Sequence, residues 1–399
     1  MEKQTSFVRK YYNDVLARVN EKRNKIQVIV GPRQVGKTTL MDQVLERVTI
    51  PYTLTKADGV NPKDSGWIHR TWESVRGLMK INHENVHLLV IDEIQKIGQW
   101  SEGIKTEWDW DTHNNVNIKL ILLGSSRLML QSGLKESLAG RFELIRMGHW
   151  SFKEMSDAFG LSLDEYIYFG GYPGAAGFLS DESRWKRYIK DSIAAPAIEN
   201  DILQTSNIYK PALMKQLFEL GCKYSSEELS LTKVAGQLQD EGNVTTLASY
   251  LDLLDQCQLI SGLKKYANDD ARKYNSIPKF QVYNNALLSA FQRKSYAAVR
   301  VDAKLWGRWV ESAVGAYLLS QAEDEDLSVF YWRERDDEVD FIVQSDNSCI
   351  AIEVKSGRRG MNNGLPRFTE KFKPAHSYII GTGGIPLEVF LASSITDLI

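Results

Sequence analysis

Three groups of residues in this chain have the types and spacing for chemistry. The first lies in IQVIVGPRQVGKTTL, residues 26–40. GPRQVGKT fits Gly-x-x-x-x-Gly-Lys-Ser/Thr, a loop whose backbone N–H groups can wrap phosphates. Gly31 and Gly36 let the backbone curl; Pro32, Arg33, Gln34 and Val35 complete the loop, and Thr39 follows it. Lys37 would reach the β- and γ-phosphates of ATP, and the Thr38 hydroxyl would hold Mg²⁺. The second group is Asp92-Glu93 in HLLVIDEIQKI. Asp92 would bind Mg²⁺ and Glu93 would orient and deprotonate the attacking water as general base. The third is EVDFIVQSDNSCIAIEVK, residues 338–355. As a hairpin turning on Asp346-Asn347, one face carries Val339, Phe341, Val343, Ile350, Ile352 and Val354, and the other Glu338, Asp340, Glu353 and Lys355. Asp340 then faces Glu353, two like charges about 5 Å apart at Cβ, which is unfavourable unless a cation lies between them. Hard Mg²⁺ or Mn²⁺ suits such carboxylates, with Lys355 positioned to steady a water or a transition state.

The elements around the first two groups fit their task. A β-branched run ends at Gly31, and TTLMDQVLERV continues with helical spacing, so the loop has the strand–loop–helix context that an accidental glycine-rich turn lacks. Four apolar residues precede Asp92, as in a buried parallel strand. A third strand, IKLILLGSS, ends at Ser125-Ser126, where the Ser125 hydroxyl could touch the γ-phosphate or the water; a capped strand end is the alternative. In SLAGRFELI, Arg141 could stabilise transition-state charge at a neighbouring subunit's site, which needs a homo-oligomer, or form a surface salt bridge.

GPRQVGKT, VIDEIQKI, GSSRLML, SLAGR, WSFKEM and FGGYP together resemble a family of prokaryotic AAA+-type ATPases. Members carry a C-terminal domain of unknown function related to the restriction-endonuclease fold. The resemblance runs along nearly the whole chain and implies an AAA+ core with a helical lid. One departure is GHWSFKEM, where a proline-leucine pair is expected before Ser151.

Residues 151–209 read as helical, punctuated by Gly170-Gly171-Tyr172-Pro173, and suit a lid over the nucleotide. Residues 211–266 hold three helical patterns and then LISGLKKY with strand character, the order of a winged helix-turn-helix. From Asp240 to Leu263 there is no Lys or Arg, while Asp240, Glu241, Asp252 and Asp255 are acidic. DNA affinity rests on phosphate contacts that need cations, which favours a structural or subunit-contact role, with Lys264 and Lys265 keeping the DNA alternative open.

Upstream of the third group, LWGRWVESAVGAYLLSQ places Trp306, Trp309, Val310, Ala313, Val314, Tyr317 and Leu318 on one helical stripe, flanked by Glu311. An acidic linker, AEDEDLS, and the strand VFYWRERD follow. Helix, strand, then two strands bearing Asp and Glu-x-Lys is the order of a PD-(D/E)xK nuclease core, with Val339 where the motif has proline. Asp340, Glu353 and Lys355 take the motif positions, and Glu311 takes the helix acid. Six cations (Lys355, Arg358, Arg359, Arg367, Lys371, Lys373) against one acid, Glu370, could hold a nucleic-acid backbone. The rival is a hairpin with a polar outer face.

The 399 residues allow two to four domains. A hydrophobic share of 43% and a charged share of 25% fit an ordinary globular chain, and a net charge of −2 confines nucleic-acid binding to local patches. Three widely spaced cysteines argue against a disulfide framework or zinc site and fit a cytoplasmic setting, and no apolar run is long enough for a membrane span. The expected architecture is multidomain α/β: a P-loop AAA+ core over 1–150, a helical lid over 151–209, a winged helix-turn-helix over 210–268 and a nuclease-like α/β domain over 269–399. The expected function is ATP hydrolysis coupled to a C-terminal domain that cuts or grips nucleic acid, DNA rather than RNA, with divalent metal. Its rivals are a nucleotide-driven switch that binds DNA or protein without cutting, and a winged-helix regulator.

Overall fold

The computed structural model describes residues 7–124, 137–203, 208–237, 243–267, 276–346, 348–357 and 363–399. They form two compact units, Met1–Met147 and Gly148–Ile399.

The first unit runs α1 (Tyr12–Asn20), β1 (Ile26–Val30), α2 (Lys37–Leu45), β2 (Tyr52–Lys56), α3 (Trp67–Asn82), β3 (His87–Asp92), α4 (Trp100–His113), β4 (Ile118–Gly124) and β5 (Phe142–Arg146). Among the described residues its five strands lie in the order β2-β3-β4-β1-β5, with every pair parallel. Parallel strands covered on both faces read as unbroken apolar runs, and β1 and β3 are buried at every position. Helices α3 and α4 bring Trp72, Val75, Ile104 and Trp108 against one face. The buried Trp72 indole N–H donates to Asp111 Oδ2 at 2.8 Å, and the Arg76 guanidinium pairs with the same carboxylate at 2.7 Å. The glycine loop therefore leaves the carboxyl end of a central strand, where open α/β sheets bind ligands.

In the second unit, α5 (Phe152–Phe159) and α6 (Leu163–Phe169) each open on a reciprocal Ser–Glu cap, Ser151 with Glu154 and Ser162 with Glu165. The turn at Gly170-Gly171 is a close approach. A Cβ on Gly170 would come 2.1 Å from Asn284 Oδ1, and the Gly171 N–H donates to that oxygen at 3.0 Å. After α7 (Glu182–Tyr188) come α8 (Pro211–Lys223), β6 (Glu227–Glu228), α9 (Leu231–Gln237), α10 (Val244–Gln256), β7 (Ile260–Lys265) and β8 (Lys279–Val282). Then follow α11 (Asn285–Phe291), α12 (Tyr296–Val301), α13 (Ala303–Glu325), β9 (Ser328–Glu334), β10 (Asp337–Gln344), β11 (Cys349–Lys355), α14 (Gly364–Phe372), β12 (His376–Gly381) and α15 (Leu387–Ala392).

Among the described residues these strands make one seven-stranded sheet, β12-β11-β10-β9-β7-β8-β6. The expected boundary at 268 falls between two paired antiparallel strands, β7 and β8, and β7 also pairs in parallel with β9 through Lys264–Phe330 and Lys265–Tyr331. The middle block and the C-terminal strands thus share one sheet.

Three further expectations change. The stretch AEDE, Ala322–Glu325, belongs to α13, so only the end of the expected linker is a connection. The hairpin of β10 and β11 has both faces covered. Phe341, Val343, Ile350 and Ile352 pack under Val314, Tyr317 and Leu318 of α13, while Val339, Ile342, Cys349 and Ala351 pack with Phe368 of α14. Val339 lands opposite to its expected face because the pairing of β10 with β9 shifts between Val339 and Ile342, and such a bulge breaks strict alternation. Among the described residues no helix is long and apolar enough to cross a membrane.

Candidate functional site

The first candidate site is the turn from β1 to α2. Gln34 at φ 60° and Gly36 at φ 91° take left-handed backbone, which coils the loop before α2 begins at Lys37. Gly31 admits no side chain: a Cβ there would sit 2.2 Å from the Met147 carbonyl oxygen, just past β5. The Lys37 ammonium is buried and donates to the carbonyls of Gly31 at 2.8 Å and Pro32 at 2.7 Å, which holds it over the loop. The Thr38 hydroxyl donates to Asp92 Oδ2 at 3.0 Å. Two segments 54 residues apart thereby present a hydroxyl and a carboxylate together, a hard oxygen pair that fits Mg²⁺. Arg33, Val35 and Thr39 belong to the same turn and the start of α2.

Glu93 follows β3 in left-handed backbone at φ 56°, an uncommon choice for a non-glycine residue. Its Oε2 accepts from Gln95 Nε2 at 2.7 Å. Gln95, two residues after the acid pair and buried, is a partner that the acid motif alone does not name.

Two further participants are expected from the sequence. Ser125 lies outside the described residues, as does its neighbour Ser126. Arg141 makes a two-pronged ion pair with Asp109 of α4, Nε to Oδ1 at 2.8 Å and Nη2 to Oδ2 at 2.9 Å. Its carbonyl accepts from the Ile26 N–H, at the amino end of β1. At about 3.3 Å per residue, β1 separates it from its own glycine loop by roughly 15 Å. The strand-end arginine level with Val30 is Arg146.

The second candidate site lies on α13, β8, β10 and β11. Extending the pairing Phe341–Ile352 by one residue sets Asp340 level with Glu353. Asp340 Oδ2 accepts from the Val354 N–H at 2.7 Å. Glu353 Oε1 accepts from Lys355 Nζ at 2.7 Å, while its Oε2 is buried without a hydrogen-bond partner. Burial, then the charge of Glu311, pushes the Asp340 carboxyl up to about 7. Burial, then Asp340, does the same to Glu353. Glu311 is also raised, first by burial, although Lys279 opposes the shift.

Lys279 was not foreseen. It opens β8, is 6% exposed, and pairs with Glu311 Oε1 at 2.6 Å. Burial works to lower its pKa, yet Glu311 and Asp340 leave it raised. The legible signal was a lysine opening the short strand KFQV, whose positions are all buried. Among the described residues no group of three or more His, Cys, Asp or Glu side chains is placed to hold a metal ion.

The basic run is also more committed than its composition implied. Arg358 and Arg359 lie outside the described residues. Lys371 pairs with Glu334 at 2.6 Å, and Arg367 pairs with Asp337, so both tie α14 to the β9–β10 hairpin.

Three family models match this chain. Residues 23–156 match the model of an AAA domain; residues 160–297 and 306–395 match two domains of unknown function (DUF8612 and DUF4143). An uncharacterized protein of Methanocaldococcus jannaschii is 22% identical over 346 residues, 81% of this chain and 73% of its own. One of Mycobacterium tuberculosis is 24% identical over 348 residues, 86% of this chain and 73% of its own. A solved Walker-type ATPase of Pyrococcus abyssi matches with a TM-score of 0.52 at 15% identity, covering 72% of this chain and 97% of that one, a likeness of fold. The first unit of this multidomain α/β chain is a parallel-sheet P-loop ATPase core similar to AAA domains.

Proposed function

We propose that this protein hydrolyses ATP and uses the nucleotide cycle to switch a C-terminal block that binds a partner without cutting it. The observation that carries the ATPase reading is the pairing of the Thr38 hydroxyl with the Asp92 carboxylate beside the buried Lys37 ammonium. Loop N–H groups and Lys37 would hold the phosphates, and Thr38 and Asp92 would hold Mg²⁺. An Mg²⁺ held there would supply charge neutralisation to the phosphates. Glu93 would accept a proton from the attacking water after exchanging its bond with Gln95.

The helix–strand–helix–helix–strand–strand order from α8 to β8 supports a winged-helix reading of the middle block. The order α13, β9, β10, β11, with Asp340 level with Glu353, supports a restriction-endonuclease-like reading of the C-terminal part. Gripping is favoured over cutting because the carboxylates there already hold ammonium and N–H partners. DNA is the partner class that the two fold readings favour.

The test is phosphate release together with DNA binding and nicking in the full chain. Lys37→Ala is expected to abolish hydrolysis. Glu93→Gln is expected to bind ATP and turn over about 10²–10⁴-fold more slowly. Full turnover in Glu93→Gln would remove the assigned base. Nicking of plasmid by the wild type, lost in Asp340→Ala, would overturn the non-cutting reading.

A further inference from the structure

We propose that Lys279 is the resident cation of the C-terminal acid cluster, so that this site is built to work without a divalent metal. The inference rests on the reading of this part as a binding block and is independent of the ATPase assignment.

Two ammonium groups of the chain itself already sit among these acids. Lys279 Nζ donates to Glu311 Oε1 at 2.6 Å and to the Asp340 carbonyl at 3.2 Å, and it lies 4.7 Å from the centre of the Phe341 ring. Two of its three donors are thus directed, and an aromatic face lies close by. The remaining acids are served by other groups: the Val354 N–H at Asp340 Oδ2 and Lys355 Nζ at Glu353 Oε1. A dication entering here would meet a fixed ammonium of the same sign within a few ångströms. Each of the three acids also has one oxygen already engaged by an N–H or ammonium donor, which such an ion would have to displace or share.

The lysine is also anchored at its backbone. It is paired on one side with Leu263 of β7 and on the other with Glu228 of β6. Its Cα therefore cannot withdraw without opening the sheet, which distinguishes a built-in counter-ion from a surface lysine that happens to reach an acid. Glu353 Oε2 is buried without a hydrogen-bond partner.

The experiment is a titration of the full chain with Mn²⁺ in the absence of nucleotide, read by the resonance signal of free Mn²⁺. Wild type and Asp340→Asn are expected to bind alike, because any site they share lies elsewhere. Lys279→Met is expected to gain one Mn²⁺ site per chain, at least about tenfold tighter than any in the wild type, because it removes the repelling charge. The gain should vanish in Lys279→Met/Asp340→Asn and be absent in Lys279→Arg, which keeps the charge. A wild-type site that Asp340→Asn removes would overturn the proposal, as would a folded Lys279→Met that gains none. Should Lys279→Met not fold, thermal unfolding of the wild type decides. Equal midpoints in chelator and in millimolar Mn²⁺ are expected, and a rise in Mn²⁺ that Asp340→Asn abolishes would refute the idea.

Discussion

Replacing Glu311 by glutamine would leave the Lys279 ammonium buried beside one remaining acid. Their contact is 2.6 Å, the lysine side chain is 8% exposed and the glutamate 23%. Removing one partner of a buried pair costs about 3–5 kcal/mol, since the survivor is left desolvated without its counter-charge. Two features lower that figure. Asp340 still faces the ammonium, and the partial exposure of Glu311 lets water screen the pair. We expect a loss of about 2–3 kcal/mol for Glu311→Gln, or roughly 4–12 °C in midpoint for a unit of this size. The double variant Lys279→Met/Glu311→Gln should recover about 1–2 kcal/mol relative to the sum of the singles. The assay is thermal unfolding of the full chain followed by tryptophan emission, since Trp309 and Trp332 are buried in the second unit. A Glu311→Gln midpoint matching the wild type, or strict additivity in the double variant, would show that the pair is ornamental.

Acid titration gives a second check. Asp340 and Glu353, raised to about 7, bind more protons folded than unfolded across the range from about 4 to 7. Their contribution to stability should therefore be largest at low pH, fall as pH rises through that window and be flat above it; Asp340→Asn should flatten the curve of midpoint against pH. Asn284→Ala removes an oxygen that caps Ala286 at 3.1 Å and accepts from Gly171 at 3.0 Å, so a loss of about 2–3 kcal/mol is expected by the same unfolding assay. Arg141→Ala should leave ATP turnover within about twofold and cost about 1 kcal/mol or less through Asp109; a hundredfold drop in turnover would place this arginine at a neighbour's site.

The phosphate loop was legible because its chemistry is local. Gly31 to Thr38 are contiguous, and the flanking strand and helix are spelled by plain apolar periodicity. The pairing of Thr38 with Asp92 followed from two motifs whose strands both end at the same sheet edge. What stayed hidden was set by distant partners. Nothing near Lys279 in sequence announces Glu311, 32 positions later, and a bulge at Asp340 cannot be read from alternating residue types. The basic run misled for a related reason: composition counts cations, whereas Glu334 and Asp337 on another element consume two of them.

The parallel pairing of β7 with β9 has a consequence for how this chain can be divided. It is continued by the Tyr266 N–H donating to the Tyr331 carbonyl at 2.7 Å. A fragment starting at α13 would strip β9 of that neighbour and leave a raw strand edge, a template for self-association. A fragment that keeps all seven strands of this sheet together starts no later than β6.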